Sequence, residues 1–221
     1  IITLLFFSFN GFTQSQHSSN HTNVRPTQTQ LDSILNINIT PAVEADRFGH
    51  LIVQDTDGRM KPINTYASEL LRKLSKKDSY NGFDANQVFL SMQESPQLWY
   101  NVPLIYLKAK KADTVRTILG LKKTAKYAAL VDFLNPNLDY KLGPYLEDAY
   151  SAQIPTAIQK IFKETDQRVS LLFNTLEGNA LRIYPIPDDE NNTWVSSKEF
   201  RERDYILKDS LYGNFIKTGF I

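Results

Sequence analysis

Between Pro155 and Gly178 the apolar side chains Ile158, Ile161, Phe162, Val169, Leu172, Phe173 and Leu176 recur every three or four residues, with Thr165 filling the one gap. On an α-helix, positions three and four apart stack on one face, so this spacing predicts a helix over 156–177. Pro155 cannot continue a preceding helix, and Gly178 is suited to the left-handed residue that ends one. A helix that long with one apolar face must bury it against other elements, and the rest of the chain has to supply them.

It does so mainly with shorter helices. Ile63, Tyr66, Leu70, Leu71 and Leu74 form a second stripe after Pro62, with Asn64 or Thr65 available as cap. Segment 84–93 opens on Asp84, a good cap, and aligns Val88, Phe89 and Met92. "AVEADRFGH" (42–50) reads as a short helix stopped by Gly49. "ADTVRTILGLKK" (112–123) and "AKYAALVDFL" (125–134) read as short helices around Gly120, and a further helical stretch runs from Pro144 to the break at Pro155. Strand-like runs are few: "LIVQD" (51–55) entering the turn Asp55-Thr56-Asp57-Gly58, "NVPLIYLKAKK" (101–111) with Pro103 confining it to an edge or strand start, and "ALRIYPIP" (180–187). "DDENN" (188–192) then reads as a loop and "VSSKEFRER" (195–203) as a helix start. The pattern predicts an α-rich α+β fold with a few short strands.

At 221 residues, 42% of them hydrophobic, the chain can bury one main core. The 25 Lys and Arg nearly cancel the 24 Asp and Glu, so no basic field recruits nucleic acid. Without cysteine there is no disulfide, thiolate nucleophile or cysteine-ligated metal. The apolar, uncharged start (1–13) is too short to cross a bilayer and reads as the end of a transmembrane helix or of a signal-peptide core, placing the remainder outside the cytoplasm. Residues 14–30, rich in Gln, Ser, Asn and Thr, read as a polar linker, and 31–221 as the globular segment. His17 and His21 in that linker have helical spacing but lack the glutamate of a zinc-protease motif.

Nucleotide loops, nucleophile elbows and zinc motifs are absent. Asp55-x-Asp57-Gly58 is not a calcium loop, because Tyr66 stands where the twelfth-position ligand belongs. Only His50 remains outside the linker, too little for a triad or a facial metal site. Arg59 and Lys61 flank the turn before a proline-initiated helix; they can face an anionic group, but pairing with Asp55, Asp57 or Glu69 is the favoured reading. Trp99, Tyr100 and Trp194 are expected to anchor core or interface, and Asp188, Asp189 and Glu190 to lie in a solvated loop with nothing apolar to raise a pKa. The sequons at Asn20, Asn38 and Asn191 are too short a pattern to carry a conclusion.

"FGHLIVQDTDGRMKPINTYASELLRKLSKKDSYNGFDANQVFLSM", with "PQLWYNVPLIYL", "KYAALVDFL" and "RIYPIPDDENNTWVS" after it, resembles the extracytoplasmic region of fused ResB–CcsA cytochrome c biogenesis proteins, above all the long form of Bacteroidetes. The likeness runs from about Ala45 to Trp194, and its most specific core is Gln54, Asp55, Gly58, Arg59, Lys61, Pro62 and Thr65. The resemblance implies a System II synthase, membrane-anchored on the periplasmic side of the inner membrane, that moves haem outward and joins it to exported apocytochrome c. It implies as partners the membrane-embedded ResB and CcsA portions of the same protein. The family's WGxxWxWD segment is missing: Trp99 is followed by Tyr-Asn-Val and Trp194 by Val-Ser-Ser. No catalytic, haem-binding or metal-binding role therefore transfers to any residue, and the motif residues are expected to be structural or docking elements. The parent is then a cytochrome c haem lyase, with this segment a non-catalytic scaffold. The alternatives are a stand-alone exported binding module and an independent periplasmic enzyme, which would need a cleft of converging ionisable groups.

Overall fold

The computed structural model describes residues 25–186 and 189–202. In chain order the helices are α1 (Gln28–Asn38), α2 (Ala42–Gly49), α3 (Ile63–Ser75), α4 (Ala85–Glu94), the single turn α5 (Pro96–Trp99), α6 (Asp113–Leu119), α7 (Gly143–Ser151), α8 (Ala157–Leu176) and α9 (Ser197–Glu202). The strands pair only as antiparallel two-stranded ladders: β1 (Ile52–Gln54) with β2 (Met60–Pro62), β3 (Ser79–Tyr80) with β4 (Phe83–Asp84), β5 (Ile105–Tyr106) with β6 (Tyr127–Ala128), and β7 (Tyr184–Pro185) with β8 (Trp194–Val195). This is the α-rich α+β class that the periodicities predict. Among the described residues no helix is long and apolar enough to cross a membrane.

Helix α8 is the axis of the core. Thr156 and Gln159 cap its start reciprocally, Gly178 follows it at φ 78°, and Ile161, Phe162, Thr165, Val169, Leu172 and Leu176 are buried. Helices α3, α4, α5 and α7 pack against it. Trp99 is fully buried, as expected of a core anchor, and its indole nitrogen donates to Ser91 Oγ at 3.0 Å, satisfying the only polar atom of the ring. Two residues of the apolar stripe leave the core: Ile158 is 43% and Phe173 46% exposed.

Helix α3 follows β2 without a break, and this changes its cap. The N-cap is Pro62, neither Asn64 nor Thr65, and no side chain caps the helix. The amide of Ile63 donates to Leu51 O at 2.8 Å, so a backbone carbonyl takes a donor that a capping side chain would otherwise serve. Asp84 does cap α4, in a reciprocal box with Gln87. Gly49 ends α2 as expected, and it also admits α4: a Cβ there would stand 2.6 Å from Asn86 Nδ2.

Several boundaries differ from expectation, among them the strand in 180–187, which shrinks to Tyr184–Pro185, and the helix in 112–123, which spans Asp113–Leu119. Segment 125–134 is not a helix. Tyr127 and Ala128 pair with β5, and Leu130–Phe133 form a 3₁₀ turn closed by Asp132 Oδ2 accepting from the Ala129 amide at 2.7 Å. Its apolar residues Ala128, Ala129, Leu130 and Phe133 are all buried, so tertiary pairing overrides helical propensity. The strand in 101–111 shrinks to Ile105–Tyr106. The polar linker expected to reach residue 30 instead gives way to α1 at Gln28, because Thr27 and Gln30 form a capping box and Leu31 and Leu35 are buried. Residues 1–13, His17, Asn20, His21 and Asp188 lie outside the described residues.

Candidate functional site

The β1–β2 hairpin turns on Asp55-Thr56-Asp57-Gly58, with Gly58 at φ 80°, a conformation costly for a residue with a Cβ. Asp55, 8% exposed, organises the turn: its Oδ1 accepts from the amides of Asp57 and Arg59, both at 2.9 Å, and its Oδ2 meets Lys61 Nζ at 2.8 Å. Lys61 Nζ reaches Glu69 Oε2 on α3 at 2.9 Å, tying hairpin to helix. Burial works against the Asp55 charge, but the Lys61 ammonium and the Arg59 and Asp57 amides outweigh it and hold the carboxyl below its ordinary range. Lys61 is raised by its hydrogen bonds to Asp55 and then Glu69. The favoured pairing of these cations is what the chain adopts.

Gln54, 6% exposed, joins this hairpin to the other end of the chain. Its amide donates to Arg182 O at 3.0 Å. Its side-chain Nε2 donates to Gly58 O at 3.2 Å and Asn192 O at 3.0 Å, and its Oε1 accepts from the Trp194 amide at 2.7 Å. One primary amide thereby completes backbone hydrogen bonds in both ladders. Nearby, Arg182 makes a two-pronged pair with Glu199, at 3.1 and 2.6 Å, which fastens α9.

Of the motif residues, Gln54, Asp55, Gly58, Arg59 and Lys61 therefore share one hydrogen-bonded node. Pro62 pairs with Ile52 at the end of the ladder, and Thr65 is exposed, donating to its neighbour Asn64 at 3.1 Å. Arg59 is the outward-facing member: its side chain is 73% exposed and its guanidinium bonds Asp57 Oδ2 at 2.8 Å. Ile52 and Met60 on the same hairpin are also more than 40% exposed. The node thus locks the fold inward and leaves Arg59 as its outward-facing cation.

Arg116, Glu177 and Lys198 carry sequence signals too plain to single out. Arg116, only 2% exposed, donates to the carbonyls of Leu107, Ala109 and Ala125 at 2.9, 2.6 and 2.7 Å, closing the loop around β5. Tyr100 donates to Glu177 Oε1 at 2.6 Å, and Lys198 meets Glu177 Oε2 at 3.1 Å, in an open cleft lined also by Pro96, Gln97 and Leu176. The hydrogen bond from Tyr100, followed by that from Lys198, keeps the Glu177 carboxyl below its ordinary range. His50 is exposed, its Nδ1 2.8 Å from Asp46 O. Asp189 accepts from the amides of Asn191 and Thr193, so it shapes its loop. Among the described residues no group of three or more histidines and carboxylates gathers to hold a metal ion.

No protein-family model matches the chain. Over 156 residues, 69% of its length, the chain is 34% identical to Protein NrfI of Wolinella succinogenes. That match spans 17% of Protein NrfI, so the chain corresponds to a small part of a much longer relative.

Proposed function

We propose that this chain is the extracytoplasmic scaffold or docking segment of a membrane-anchored cytochrome c synthase, whose other parts handle haem and attach it to exported apocytochrome c. Two things support the reading: the motif-level likeness to the ResB–CcsA proteins, and 34% identity with Protein NrfI along 69% of the chain. The observation that carries the scaffold role is the hairpin node. The most specific part of the resemblance, Gln54 to Lys61, spends its buried polar atoms on nearby backbone, on the 192–194 segment and on α3, so Arg59, exposed and paired only at the surface with Asp57 and Asp55, is the member placed to meet a partner. Haem is the substrate of the whole synthase in this reading. The described residues do not fit it, since His50 is exposed and no second histidine accompanies it among them. The partners in this reading are the membrane-embedded ResB and CcsA portions and the incoming apocytochrome.

The test is deletion of 25–202 from the complete reading frame, with haem-stained c-type cytochrome as readout and membrane insertion of the remainder as control. Loss of haem attachment with insertion intact is the expected result. Wild-type haem attachment by the deletion overturns the reading.

A further inference from the structure

Between α8 and the segment from 130 to 146 lies a pocket of about 360 Å³, within the size range of small-molecule sites. Leu130, Phe133, Leu146, Val169 and Phe173 supply apolar walls. Phe173 belongs to the apolar stripe of α8, yet it stands 46% exposed at this pocket, so the fold leaves part of its own hydrophobic face to be covered.

Apart from the rim hydroxyl of Ser170, the polar side chains lining the pocket act as acceptors. Asp166 accepts from two phenols, Tyr140 at 3.0 Å on Oδ1 and Tyr150 at 2.8 Å on Oδ2. Tyr100, also on the wall, donates its hydrogen bond to Glu177. Burial, followed by the Asp166 charge, raises Tyr140 well above the ordinary phenol range, so its proton stays in place at neutral pH. The lining phenols Tyr100 and Tyr140 have spent their single donors on carboxylates, so what they and Asp166 can still offer a ligand is lone pairs, the Asp166 charge and electron-rich ring faces. The hydroxyl of the exposed Ser170 at the rim can turn to either role. Among the described residues no lysine or arginine lines the pocket: Lys163 lies over the Tyr150 ring at 5.0 Å, and Lys198 is paired with Glu177. A bound anion would meet the carboxylate with only the rim hydroxyl of Ser170 to answer it, whereas a cation meets a matched set.

We propose that this pocket binds a small hydrophobic amine in its ammonium form, with the apolar body against Phe133, Leu146, Val169 and Phe173 and the ammonium at Asp166 beside the Tyr140 oxygen. The site is separate from the hairpin node and does not rest on the role in cytochrome maturation.

The experiment is titration of the 221-residue chain with 2-phenylethylamine, the neutral 2-phenylethanol and the anionic phenylacetate at pH 7, followed by amide NMR shifts around Val169 and Phe173. The amine binds at these positions at least about tenfold tighter than the alcohol, and phenylacetate more weakly still. Ser170→Trp, at an exposed rim position, abolishes amine binding, and Asp166→Asn brings amine and alcohol to equal affinity; circular dichroism checks the fold of each variant. The proposal is overturned if no probe shifts these amides, if the alcohol or the carboxylate binds as well as the amine, or if folded Asp166→Asn keeps the preference.

Discussion

Gln54 and Trp194, 140 positions apart, are joined by the Trp194 amide donating to Gln54 Oε1 at 2.7 Å. Replacing Gln54 with Leu keeps the volume but leaves the Trp194 amide and the carbonyls of Gly58 and Asn192 without their partner. Gly58 and Asn192 are exposed, so water can serve their carbonyls, and the main loss is the Trp194 amide, at about 1–3 kcal/mol for an unmet donor. Gln54→Leu is therefore expected to lower stability by about 1–3 kcal/mol in urea denaturation. It should also raise amide exchange at Thr193–Val195 before the rest of the core, because it cuts the link to β8.

Leu70 is 3% exposed on α3, and Leu70→Ala removes core volume for a cost of about 2–5 kcal/mol. Arg59→Ala removes an exposed ion pair and changes stability by no more than about 0.5 kcal/mol. Under the docking proposal, the second substitution reduces haem attachment by the full-length protein while the segment stays folded. Thermal melts and haem staining together separate the two effects.

Asp55 and Lys61 give the protein opposite pH edges. The folded Asp55 carboxyl lies below its ordinary value of 3.8, so its contribution is present above that value and is lost as pH falls through the lower folded one. Lys61 lies above its ordinary 10.5, so its contribution is present below 10.5 and is lost as pH rises through the higher folded value. Asp55→Asn is expected to flatten the acid limb of a urea-midpoint profile and to weaken the alkaline limb as well, since it also removes the leading partner of Lys61.

Arg116 holds three carbonyls that Lys cannot span, because an ammonium lacks the planar fork of donors. Arg116→Lys is expected to destabilise by about 2 kcal/mol and Arg116→Ala by about 3 kcal/mol or more, both measured by denaturant unfolding. A loss below about 0.5 kcal/mol for either would mean that water replaces the guanidinium freely.

The elements legible in the sequence are those whose information is local. The stripes of α3 and α8, the Asp84 cap and the Asp55–Gly58 turn are each written within a few residues, and so is the pairing of Arg59 and Lys61 with nearby carboxylates. The ladders were harder, because a two-residue strand such as Tyr127–Ala128 has no period of its own and exists through its partner Ile105–Tyr106. The far half of the Gln54 node fails to show for the same reason: its acceptor and donor lie near 192–194. Phe173 fits the helical stripe as well as any core residue, and only the packing of the 130–146 segment turns it into a pocket wall. Arg116 lies in a short helical segment, and nothing in its sequence neighbours marks it as buried.

The ladders, none longer than three residues per strand, also bear on how this domain meets other chains. An exposed strand recruits another through a row of unpaired backbone groups, and rows this short offer one or two bonds before the chain turns away. Cross-chain strand addition, the usual route by which sheet edges aggregate, gains little here. Association through the described surface must then be carried by side chains, which can be tuned one residue at a time.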